Sequence, residues 1–250
     1  MSKRLNRCCV MAVLFVALAC RSRGSDDHPQ SDEQAAATDP CAAGRSPDPS
    51  LAEIEEGRAL FETRKYAEAI RRFDGMLAEH PASATLRVWR AEATLYQAKL
   101  TDGKKKYSKA AADALPYYQS AEQLHKRGCR LPDEALYYLR MGSAYAHLRQ
   151  GHADRAITQL DVARSEFPDS AEVTYALARA WCAKHEVERC LRQLTQTLEL
   201  AQRLRRPLFL RTHRSVDEWL RRAASQSEFG PLRDDPRYTE LVAAARTGNL

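Results

Sequence analysis

Two consecutive copies of one helix-hairpin pattern between Ala135 and Gln202 confine this chain to a repeat architecture before anything else about it is considered. Ala156, Leu160, Ala163 and Pro168 stand at spacings of four, three and five, and Ala69, Phe73, Met76 and Pro81 repeat those spacings nearer the start. The pattern returns after Pro168 as Cys190, Leu194 and Thr197. Cys190 thus follows Ala156 by one period of about 34 residues, the length of a stacked helical hairpin.

The first helix of each copy carries its own mark, a small residue with a bulky one three places later: Gly57 with Leu60, Gly142 with Tyr145, Ala178 with Trp181. A small residue lets the two helices of a hairpin approach closely, the bulky one fills the space to the next hairpin, and the proline ends the second helix. On these residues the chain resembles the tetratricopeptide repeat family over roughly residues 50–202. The resemblance implies an all-α solenoid, a right-handed superhelix of about four helical hairpins with a helical cap. An array of this kind is one elongated domain despite its 250 residues.

At the N-terminus, Lys3, Arg4 and Arg7 precede the apolar run Val10 to Ala19, which Cys20 follows. The run is too short to span a bilayer as a mature helix and reads as a signal peptide over residues 1–19. Val16-Ala17-Leu18-Ala19-Cys20 resembles a bacterial lipoprotein signal, with Ala17 and Leu18 exchanged relative to the usual order. The resemblance implies lipidation at Cys20 and a periplasm-facing anchor in the cell envelope, with the outer membrane favoured; ordinary secretion with an incidental Cys20 is the alternative. Residues 20–49 are rich in Ser, Asp, Pro, Ala and Gln and nearly free of large apolar side chains, which suits a disordered tether.

The first hairpin is expected from about Leu51 to His80, with Ile54, Phe61, Ile70 and Phe73 among its apolar residues. A next first helix follows from Ala84 to Lys99, and then the period breaks. The set Ala114, Tyr118, Ala121 comes about eleven residues late, behind a basic insertion near residues 100–108 that reads as a solvated loop between lengthened helices or as a contact for an acidic partner or lipid. Pro116 predicts a kink or a late helix start. Residues 203–250 open on a basic loop and end in a Leu-Arg-Asp-Asp-Pro-Arg-Tyr run that resembles the closing module of bacterial tetratricopeptide arrays. Asp235 is expected to cap a helix beginning at Pro236, with Tyr238 and Leu241 covering the edge of the last hairpin.

Catalytic motifs are lacking: there is no glycine-rich phosphate loop, no Gly-x-Ser-x-Gly and no His-Glu-x-x-His. His147 with His152 and Cys182 with His185 have poor spacing for a metal. The expectation is therefore a non-enzyme with no cofactor, metal or small-molecule substrate. A net charge of +6 is mild, and without recognition motifs it does not point to nucleic acid. Cys41, Cys129, Cys182 and Cys190 remain once the expected signal peptide, with Cys8 and Cys9, and the expected anchor at Cys20 are set aside. Antiparallel helices can bring Cys182 near Cys190, either as a bridge or as small buried residues, whereas Cys41 reaches Cys129 only by folding back.

What remains is binding. In the resembled fold, positions around the small residue of each first helix line the concave face. They assign partner contact to Arg58, Trp89, Glu92, Tyr96, Arg140, Tyr175 and Arg179, with Phe61 and His147 alongside. Arginine with aromatics is a mixture that protein interfaces favour. The expected function is a protein–protein scaffold gripping another protein or an extended peptide, in the class of lipoproteins that help assemble outer-membrane or pilus machinery. The rival readings are an accessory subunit of an envelope enzyme, and a membrane-surface module acting through the segments 104–109 and 203–214 on anionic lipid.

Overall fold

A computed structural model describes Cys41 and residues 48–101, 104–203, 209 and 214–250. The expected signal peptide, Cys20 and most of the expected tether lie outside the described residues, as does most of the basic loop after residue 203.

Eight helices form four antiparallel pairs: α1 (Leu51–Glu62) with α2 (Tyr66–Glu79), α3 (Ala84–Thr101) with α4 (Lys104–Lys126), α5 (Asp133–Arg149) with α6 (Ala153–Glu166), and α7 (Ala171–Ala183) with α8 (Val187–Arg203). The closing segment contains α9 (Val216–Ser225), a single 3-10 turn (Ser227–Phe229), the short α10 (Gly230–Arg233) and α11 (Pro236–Thr247). There is no strand among the described residues. The fold is an all-helical solenoid of the tetratricopeptide type, as the resemblance implies. No described helix is long and apolar enough to cross a membrane.

Local chemistry sets the ends of these helices. Ser50 and Glu53 form a capping box at α1, each bonding the other's backbone N–H, at 2.9 Å and 3.4 Å. Ser170 and Ser215 accept from the backbone of Val173 and Glu218 at the starts of α7 and α9. Asp235 accepts from Arg237 N at 3.0 Å ahead of Pro236, as its sequence predicts, and Gly248 ends α11 with φ at +77°. The turns inside three hairpins use a left-handed residue at the same place, Arg64, Gly151 and His185. Only one of the three is glycine, so the other two carry local strain.

Three expectations change on folding. The helices beside the insertion are lengthened as expected, α3 to 18 and α4 to 23 residues, but the Lys104–Lys106 run forms the first turn of α4 instead of a loop. Lysine is a good helix former, so a polar run next to a helix extends it at little cost. Of the two outcomes expected at Pro116, the late start does not occur: α4 begins well before it and runs through it. The last residues assigned to the tether are also bound to the array. Pro49 is buried, Asp48 accepts from Ser83 Oγ and, at 2.7 Å, from Thr85 Oγ1, and Cys41 is bridged to Cys129.

Two apolar clusters run through the stack. One joins α1 to α7 around Phe61, Phe73, Leu86, Tyr118, Leu139 and Leu160, and the second joins α7, α8 and the closing segment around Tyr175, Leu194, Trp219 and Phe229. The small residues of the pattern stand where backbones crowd. A Cβ on Gly57 would lie 2.4 Å from the Phe73 ring, and one on Gly142 would lie 2.1 Å from Tyr118 Oη. Gly142 therefore makes room for the preceding hairpin, not for its own second helix as the pattern suggests.

Candidate functional site

The first helices α1, α3, α5 and α7 contact one another in succession, and most residues assigned to a concave groove lie along that contact. The Arg58 guanidinium sits 4.9 Å from the centre of the Trp89 ring and donates to Glu134 Oε2 at 2.8 Å, joining α1, α3 and α5. Behind it, Phe61 packs edge-on against Trp89, Tyr66 and Tyr96, and Trp89 continues to Tyr138 at 5.2 Å. Burial, followed by the charge of Glu92, holds the Tyr96 phenol well above its usual range, so it stays a neutral hydroxyl. Glu92 is buried beside it and accepts from Tyr118 Oη at 2.6 Å, next to Gly142.

Arg140 faces away from this stack. It donates from Nε and Nη2 to the two carboxylate oxygens of Glu166, both at 3.0 Å, and from Nη1 to Glu122 at 3.2 Å, bracing α5 against α6 and α4. Burial alone would lower its pKa, and the two carboxylates reverse that. His147 is buried on the same helix with Nδ1 unpartnered; burial, Arg155 and His152 together hold its imidazole below the usual histidine value.

At the other end the closing segment occupies the face where a partner was expected. Tyr175 stacks within 4.5 Å of Trp219 and 5.3 Å of Phe229, and its hydroxyl donates to Gln226 Oε1 at 2.9 Å. Arg179 donates to Glu228 Oε1 at 2.5 Å and lies over the Tyr145 ring. Nearby, Arg214 donates to Glu218 at 2.8 Å and stands 3.8 Å from Glu172. The chain's own residues 219–229 thus fill the last inner face with the aromatic and acidic groups that an outside ligand would otherwise supply.

These placements correct the expectation of an open groove. Trp89, Glu92, Arg140, Tyr175 and Arg179 are all buried with internal partners, and Phe61 and His147 are buried as well. The cause is twofold: successive first helices pack directly on one another, and the closing segment folds over α7. Arg58, Tyr96 and Glu134 keep partial exposure on the first helices of three hairpins, a discontinuous rim in which Arg58 and Glu134 touch. Sequence reasoning missed Trp219, Gln226 and Glu228 as the internal occupant of α7. The signal available was a Trp and a Phe ten residues apart in a segment assigned only to edge covering.

The closing segment also carries a feature that the repeat pattern does not foreshadow. Between α9, α10 and α11 lies an open cleft of about 530 Å³, with Arg221, Arg233 and Arg246 along it. Leu220 and Val242 line it with apolar surface, and Asp217 stands on its edge.

Cys182 and Cys190 are bridged across the turn of the last hairpin, with Cα atoms 5.1 Å apart, which decides between the two readings of that pair. Cys41 and Cys129 are bridged as well, by the fold-back that the pairing demands.

The family model described as "Tetratricopeptide repeat" matches residues 54–127 and 141–189, the first stretch running from within α1 to just past α4 and the second from within α5 to the start of α8. No match is found among curated proteins.

Proposed function

From the match to the tetratricopeptide repeat, which suggests a protein–protein interaction scaffold, we propose that this chain is a non-enzymatic, lipid-anchored envelope protein whose array holds another protein or an extended peptide segment. The observation that carries the reading is the rim of Arg58, Tyr96 and Glu134. The first helices of three separate hairpins keep a guanidinium, a phenol and a carboxylate partly exposed, and Arg58 touches Glu134 directly across two of them. Lipidation at Cys20 and a periplasm-facing site, the outer membrane being favoured, complete the reading. The basic and apolar order of the first twenty residues supports the anchor, and the two disulfides support an oxidising compartment. Among envelope roles, assembly of an outer-membrane or pilus complex suits a rigid adaptor held at a membrane.

A photo-crosslinking residue placed in the native organism at Tyr96 or at Glu134 should yield a discrete adduct with one partner. The same residue at exposed Thr158 on α6 should not. Equal adducts from all three positions, or an adduct from Thr158 alone, would overturn the rim as the contact.

A further inference from the structure

The cleft between α9, α10 and α11 has the chemistry of a second binding site, separate from the rim and independent of it. Arg221 comes from α9, Arg233 from α10 and Arg246 from α11, so three helices deliver guanidiniums to one opening. Arg233 is anchored by donating to the Gln226 carbonyl at 2.8 Å, which leaves its remaining N–H groups for other acceptors. Among the described residues neither Arg221 nor Arg246 has an acidic partner, in contrast to Arg179 and Arg237, each of which is held by a carboxylate. Against the three guanidiniums the cleft sets one carboxylate, Asp217, and so keeps two positive charges.

Charge alone would describe a solvated surface; here it borders apolar surface. Leu220 is buried among the closing segment's apolar residues, and Val242 is half-buried against the same cluster. Tyr238 lines the cleft too; burial outweighs the pull of Arg233 and Arg246, so its phenol stays above its usual value and remains a donor. The volume of about 530 Å³ falls in the range of ligand sites, about 300–1,000 Å³. Guanidinium forks match carboxylates bidentately, which a cluster of lysines would not do.

We propose that this cleft binds an acidic peptide segment of a partner protein, in which two carboxylates flank an aliphatic side chain. The two carboxylates answer the two uncompensated guanidinium charges, and the aliphatic side chain covers Leu220 and Val242. The site makes the closing segment a recognition element as well as a cap, and it stands whether or not the rim holds a partner.

The test is fluorescence anisotropy with the full-length chain and a labelled peptide of alternating glutamate and leucine. A peptide of alternating glutamine and leucine serves as the control. Binding of the acidic peptide should weaken at least tenfold for the control, and again at least tenfold in the Arg221→Ala, Arg246→Ala double variant; both residues are exposed, and helicity should be unchanged. Reversing the charges, Arg221→Glu with Arg246→Glu, should turn the preference toward a lysine–leucine peptide, a gain that misfolding cannot mimic. Equal binding of both peptides, or an unaltered affinity in both variants, overturns the proposal. So does displacement of the peptide by equimolar inorganic phosphate, or an arginine-dependent preference for phosphatidylglycerol vesicles over the peptide. A failure of crosslinking at Tyr96 would leave all these outcomes untouched.

Discussion

Arg179 of α7 and Glu228 of the closing turn meet at 2.5 Å, with 5% of the Arg179 side chain and 18% of the Glu228 side chain exposed. This pair crosses from the last repeat to the segment that covers it, in the midst of Tyr145, Tyr175 and Phe229. A guanidinium so enclosed depends on its carboxylate, because removing one partner of a buried pair strands a charge, whereas exchanging both for apolar groups does not.

Glu228→Ala should therefore cost about 3 kcal/mol of stability, and Arg179→Met combined with Glu228→Leu markedly less than the sum of the two single changes. Denaturant unfolding of the three variants checks this, and simple additivity would refute it. A pH dependence follows from the same contact. Burial raises the Glu228 carboxyl, but the Arg179 charge and hydrogen bond outweigh it, so the folded value lies below the ordinary 4.5. The stabilisation is complete above the unfolded value and is lost as pH falls through the folded one. Glu228→Gln should flatten the part of the acid-unfolding profile that lies below pH 4.5.

Glycine substitutions should separate crowding from helix propensity. In Gly142→Ala the new methyl would meet Tyr118 Oη at 2.1 Å and Glu92 Oε1 at 2.3 Å, so a buried hydrogen bond must move or break. Overpacking of this kind costs about 1–3 kcal/mol. Gly75→Ala, on the exposed side of α2 with nothing within 4 Å, should instead stabilise by up to about 1 kcal/mol. Thermal melts moving in the same direction for both would contradict the packing described.

The two disulfides should differ in weight. Cys182–Cys190 closes a loop with a sequence separation of 8, and Cys41–Cys129 one of 88. Loop-closure entropy gives about 2–3 kcal/mol for the short loop and about 4–5 kcal/mol for the long one. Cys41→Ser should accordingly lower Tm more than Cys182→Ser does. Melting curves of the two single variants, read under oxidising conditions, decide the order.

Cys20→Ser should abolish fatty-acid labelling and shift the protein from the membrane to the soluble fraction of fractionated cells. Retained labelling together with unchanged fractionation would remove the anchor from the proposed function.

The parts that were legible are those governed by neighbours in sequence. Spacing of four, three and five fixes which side of a helix is apolar, so Ala69, Phe73, Ala156 and Leu160 are core residues as their pattern implies. Asp235 followed by Pro236 caps α11 through atoms two residues apart. The burial of Trp89 and Tyr175 was not legible, because repeat register gives a direction along the first helix but not the distance to what stands there. For Trp89 that distance is set by Tyr138 of α5, and for Tyr175 by Trp219 of the closing segment. Arg140 shows the remaining limit: its position relative to Gly142 suggested the groove, while Glu122 and Glu166 draw it to the opposite side. The cleft escaped notice for a related reason, since Arg221, Arg233 and Arg246 become neighbours only once three helices have docked.

The bridge from Cys41 to Cys129 also decides how the molecule bears a load. Tension arriving along the chain from ahead of residue 41 passes through the sulfur bond to Cys129, just past the end of α4, bypassing the chain between the two cysteines. The first two hairpins then hang beside the line of force and can keep their shape while the rest of the array is pulled. Severing the bridge would bring the pull onto Asp48 and the capped start of α1, where hydrogen bonds alone would have to resist it.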